Sequence, residues 1–92
     1  MKPLTPRSLL NAFYTVEEQA QIVGVTRGTY NNATYGPAYK RYMRRALYTL
    51  IKDLVHEEAA NDPRNKSFYR GAREQAARFI AELKRPSEDP SS

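Results

Sequence analysis

Helix-start signals recur along this chain so regularly that they leave little room for any other kind of structure. Thr5-Pro6 places a capping side chain before a proline at the first helical position, where the missing N–H has no partner to lose. That predicts a short helix through about Phe13. Thr15-Val16-Glu17-Glu18 has Thr and Glu at capping-box spacing, so two free amides can be satisfied reciprocally. Gly24 ends this second helix, because a left-handed terminal residue costs least without a side chain. Thr26 caps a third helix, which must stop near Tyr35 because Gly36-Pro37 follows. Pro37 opens a long fourth helix reaching about Ala60, and Asp62-Pro63 repeats the arrangement for a fifth running to about Lys84. Alternating strand patterns are nearly absent. The expected fold class is all-α.

The last two helices carry matching apolar stripes. On the fourth they are Tyr39, Met43, Ala46, Leu47, Leu50, Ile51 and Leu54; on the fifth, Phe68, Ala72, Ala76, Phe79, Ile80 and Leu83. The short turn between them forces an antiparallel αα-hairpin over residues 37–85. Gly71 costs about 1 kcal/mol of helix propensity, so it is expected to mark close packing against the fourth helix. Tyr48 and Val55 lie beyond the main stripe, which predicts a surface that copies of the chain bury against one another as a homo-oligomer. Residues 86–92 are polar and are expected to be a disordered tail. With 92 residues, the chain fits one domain, its helix-turn-helix region over residues 5–36.

Net charge is +5, and its distribution says more than the sum. Between Gln19 and Lys52 there are six bases (Arg27, Lys40, Arg41, Arg44, Arg45, Lys52) and no acid. Residues 53–62 then hold four acids and no base. Surfaces that only need solvation usually mix the two signs, so the acid-free stretch predicts a face for phosphates. No apolar run approaches the roughly 20 residues that span a bilayer, and Met1 to Pro6 lack the apolar stretch of a signal peptide. The absence of Cys excludes a disulfide scaffold and the common structural zinc sites. No membrane association is expected, and the expected location is cytoplasmic.

Val16 to Tyr35 is the segment that points to a function. A helix-turn-helix needs a small residue inside its first helix, a glycine at the turn four positions later, then an apolar residue and a capped second helix. Ala20, Gly24, Val25 and Thr26 meet these requirements, with Val23 and Tyr30 at the inward positions. The second helix would then present Arg27, Asn31, Asn32 and Tyr35 outward, with Thr29 flanking. Arg can pair with guanine O6 and N7, and Asn with adenine N6 and N7, in the major groove of double-stranded DNA. Thr26 and the helix N-terminus can hold a phosphate, and Lys40, Arg41, Arg44 and Arg45 can hold others. Of the seven tyrosines, Tyr30, Tyr35, Tyr39, Tyr42 and Tyr48 accompany the basic run. They suit either stacking on unpaired bases or packing at the edge of the core.

Gly24-Val25-Thr26-Arg27-Gly28-Thr29-Tyr30, followed by Gly36-Pro37-Ala38-Tyr39-Lys40 and a basic helix, resembles the pattern of phage small terminase subunits. In that family a Gly-Val-Ser-Arg-x-Thr recognition helix is often followed by Asp-Pro-x-Phe and a long helix. The resemblance covers about residues 15–55. It implies a non-enzymatic, oligomeric component that recognises viral DNA and presents it to a large terminase, the packaging ATPase-nuclease. Carried over by position, Arg27, Thr29, Asn31 and Asn32 would face DNA, and residues 37–83 would serve assembly. Two other readings stand beside it: a small helix-turn-helix transcriptional regulator, and a virion structural or interaction protein that uses the helical corner only as scaffold.

Catalysis finds no support in the sequence. His56, the one histidine, sits beside Glu57 and Glu58 as a solvated helix residue would. Asp53, Glu57 and Glu58 read as a solvated acidic helix end rather than a magnesium site. No nucleophile elbow or Gly-rich phosphate loop occurs. No catalytic residue, metal site or cofactor is expected.

Overall fold

Each of the first three helices begins where a hydroxyl satisfies a free backbone amide. In the computed structural model, which describes residues 4–60 and 66–84, α1 spans Pro6–Asn11 and Thr5 Oγ1 accepts from the Ser8 N–H at 3.1 Å. Helix α2, Val16–Val23, carries the full capping box: Thr15 Oγ1 accepts from Glu18 N–H at 3.1 Å and Glu18 Oε1 from Thr15 N–H at 2.9 Å. Helix α3, Arg27–Asn32, is capped by Thr26, whose Oγ1 accepts from Thr29 N–H at 3.2 Å. The long helices are α4, Gly36–Ala60, and α5, Lys66–Lys84. No strand occurs among the described residues, so the fold is all-α. The expected cap at Asp62-Pro63 and the tail over residues 86–92 lie outside the described residues.

Gly24 ends α2 in the left-handed conformation, with φ 80° and ψ 31°. The N–H groups of Gly24 and Val25 both return to the Ala20 carbonyl, at 2.9 and 3.1 Å, closing the helix end. Helix α3 is shorter than Gly36-Pro37 alone would require. It ends at Asn32, and Ala33 is already extended. Tyr35 therefore stands on the link to α4, 85% exposed, and not on the outward face of α3 where the sequence placed it.

Contacts Glu58–Arg73 and Tyr48–Lys84 ascend α5 as they descend α4, so the two helices are antiparallel. Met43, Ala46, Leu47, Leu50 and Leu54 of α4 share one core with Ala76, Phe79 and Ile80 of α5. Leu9 and Leu10 of α1, Ala20 of α2 and Tyr30 of α3 complete it. Thus α1 and α2 pack on α4, and α3 rests on α2. Two expectations fail on α5. Phe68 is 62% exposed despite its place in the stripe. Gly71 is exposed, and a Cβ there would meet nothing within 4 Å, so it marks no close approach to α4. It lies instead in an open apolar groove between α1 and α5, with Leu9, Phe13 and Phe68.

Candidate nucleic-acid interface

Helix α3 has a single fully buried side chain, Tyr30, and everything it presents outward depends on how that ring is held. The Tyr30 hydroxyl donates to Gln19 Oε1 on α2, which is itself fully buried. Gln19 Nε2 donates to Asn11 Oδ1 at 2.7 Å and to the Tyr14 carbonyl at 3.1 Å. A buried amide costs stability unless its donors and acceptor are used. Here all are used, and no buried side-chain polar atom among the described residues lacks a partner. Burial raises the Tyr30 phenol pKa, and the nearby Arg7 charge works against that rise.

The C-terminal end of α3 is fastened from α1. Arg7 Nη2 donates to the Tyr30 carbonyl at 2.8 Å and to the Ala33 carbonyl at 2.6 Å. The last turn of a helix leaves its carbonyls short of partners; the Tyr30 carbonyl also accepts from the Ala33 N–H at 3.3 Å. The same guanidinium lies 4.6 Å from the Tyr30 ring centroid and 5.8 Å from that of Tyr39, within cation–π range. Arg7 thus links α1, α3 and α4 through one side chain. Neither Arg7 nor Gln19 was anticipated from the sequence. For Gln19 the available signal was a polar side chain beside Ala20 on the inward face of α2; for Arg7 no local signal exists.

Arg27, Thr29, Asn31 and Asn32 are all exposed, as the helix-turn-helix reading expects. Arg27 has an exposed ion pair with Glu17 at 3.7 Å. Thr26 Oγ1 caps the helix and donates to Thr29 Oγ1 at 2.9 Å, so this hydroxyl serves the chain's own end. Lys40 is half-buried at the start of α4. Arg41, Arg44 and Arg45 come together around an open concavity of about 420 Å³ that Ile22 of α2 and Lys84 of α5 also line. Arg45 Nε donates to the Ile22 carbonyl at 3.1 Å. Of the tyrosines along the basic run, Tyr30 is core, Tyr39 and Tyr42 are half-buried against it, and Tyr35 and Tyr48 are exposed. No row of open rings results.

Two of the acidic residues that follow the basic run form structural ties. Asp53 accepts from the Tyr14 hydroxyl, and Glu58 pairs with Arg73 at 3.1 Å across the hairpin. The Tyr14 pKa is raised, first by burial and then by this bond to a carboxylate. His56 is exposed. Among the described residues no three His, Asp or Glu side chains gather as a cation site, and no helix is long and apolar enough to cross a membrane. Set against known proteins, the chain matches no family model, no curated protein and no solved structure.

Proposed function

We propose that this is a non-enzymatic protein that binds double-stranded DNA, with α3 reading base edges and the first half of α4 holding phosphates. The observation that supports it best is the division of labour on α3. Its one large apolar side chain is buried, its C-terminal end is fastened by Arg7, and Arg27, Thr29, Asn31 and Asn32 are left exposed on a helix without an acid. The resemblance to small terminase subunits carries the reading further, to a phage component that recognises viral DNA for packaging and hands it to a large terminase. Self-association belongs to that reading, and the exposure of Phe68, Val55 and Tyr48 supports it.

Arg27→Ala or Asn31→Ala is expected to cost about 1–3 kcal/mol on the preferred duplex and much less on random duplex. Binding to panels of duplexes measures the difference. Equal losses on both kinds of DNA would remove α3 as a reader. Native mass with and without duplex separates the biological roles: many copies in a ring favour packaging, and a dimer on a two-fold site favours a transcriptional regulator. A monomer that ignores duplex at low salt would leave the corner as scaffold.

A further inference from the structure

Among the described residues, the cations with partners fall into two kinds. Arg27 and Arg73 sit against carboxylates, Glu17 and Glu58. Around the concavity between α2, α4 and the last turn of α5, three cations are held by neutral groups. Arg45 is fixed through Nε to a backbone carbonyl, the Arg41 guanidinium lies 5.6 Å from the Tyr42 ring centroid, and Lys84 Nζ lies 5.1 Å from that of Tyr48. Arg44 lines the same space, and among the described residues no carboxylate does. Side chains ordered in this way lose less freedom when a ligand arrives. Four like charges around one small volume also raise each other's energy, which an arriving anion relieves.

We propose that this concavity is a phosphate-binding site built by Arg41, Arg44, Arg45 and Lys84. Its chemistry suits phosphate better than carboxylate: donors converge from two helices, and a tetrahedral group presents more oxygens, in more directions, than a planar carboxylate, and carries more charge. A volume of about 420 Å³ admits such a group with part of its hydration shell. Lys84 is the residue that distinguishes a built site from a basic helix face, since it comes from α5 across the hairpin. In the DNA reading above, on which the source of the phosphate rests, the occupant is a backbone phosphate of the bound duplex. A free phosphate ester or pyrophosphate has the same chemistry and would use the same donors.

The test uses the full chain, with inorganic pyrophosphate as the first probe and amide chemical shifts as the readout. Shifts are expected around residues 41–49 and at Lys84, with affinity falling about five- to tenfold in Lys84→Ala and in Arg44→Ala. Arg70→Ala removes the same charge from an exposed position on α5 outside the concavity and is expected to leave affinity nearly unchanged. Equal losses in all three variants, or no binding by the parent chain, would overturn the site; retained helicity shows that the variants are folded. The second probe is duplex DNA at several salt concentrations. Lys84→Ala is expected to lower the slope of log affinity against log salt by about 0.9, one phosphate's worth. Pyrophosphate binding lost with that slope unchanged would keep the site and assign it to a free phosphate. A parent chain that binds pyrophosphate but no duplex would keep the site and remove the DNA reading.

Discussion

The Tyr30 hydroxyl shows how much can rest on one oxygen. Its acceptor, Gln19 Oε1, lies where water does not reach. Tyr30→Phe keeps the ring but leaves that oxygen without its donor, so a loss of about 1–3 kcal/mol in denaturant unfolding is expected. Repeating the change in a Gln19→Leu background removes the orphaned group, and the loss should shrink there. A loss of equal size in both backgrounds would assign it to packing instead. Tyr14 gives the chain an alkaline limit. Its folded pKa is raised above the ordinary 10.0, so between those values the unfolded chain has released a proton that the folded chain retains. The stabilisation is fully present below the ordinary value and fades as pH rises above it. Unfolding midpoints should therefore fall between about pH 9 and about pH 11, and Tyr14→Phe should reduce the drop.

At the scale of elements, glycines with the same free space have opposite roles. A Cβ at Gly24 or Gly28 would touch nothing within 4 Å, but Gly24 has φ 80° and Gly28 is helical. Gly24→Ala is expected to cost about 1–2 kcal/mol through backbone strain alone, while Gly28→Ala should stabilise by about 0.4–1 kcal/mol; thermal unfolding of the two variants reads both signs. What the sequence made legible follows the same local logic. Caps at Thr5, Thr15 and Thr26 and the stop at Gly24 involve residues within four or five positions of one another, so spacing alone revealed them. The stripes of α4 were legible because period and burial coincide there. Arg7 reaches carbonyls 23 and 26 positions away, and Lys84 meets Tyr48 across a hairpin, so no window of sequence contains either relation. Gly71 was misread because low helix propensity signals a reason for glycine without saying which. The outward residues of α3 were legible as positions, but the early end of that helix, where Arg7 takes two carbonyls from a distant part of the chain, was not, nor was the place of Tyr35 that follows from it.

The whole molecule measures 48 × 30 × 26 Å, and the long α4–α5 hairpin supplies its length. The charge order along α4 runs against the helix dipole, with bases in the first half and Asp53 and Glu58 in the second. The two ends of the protein also differ in how firmly they are built. Helix α4 is long and buried along one face, whereas α3 has six residues, well under the roughly 12–15 that a helix needs to hold itself in water. Its shape is on loan from Arg7, Gln19 and the turn at Gly24. Native-state hydrogen exchange should therefore find α3 amides opening at a lower free energy than those of α4, as a separate cooperative unit. Arg7→Ala should lower α3 protection further while leaving the middle of α4 unchanged; equal loss in both helices would mean that the molecule opens only as a whole. A reading surface that can melt by itself makes recognition partly a folding event, so α1, which supplies none of the proposed base contacts but fastens the end of α3, sets how much of the protein is ready to read at a given moment.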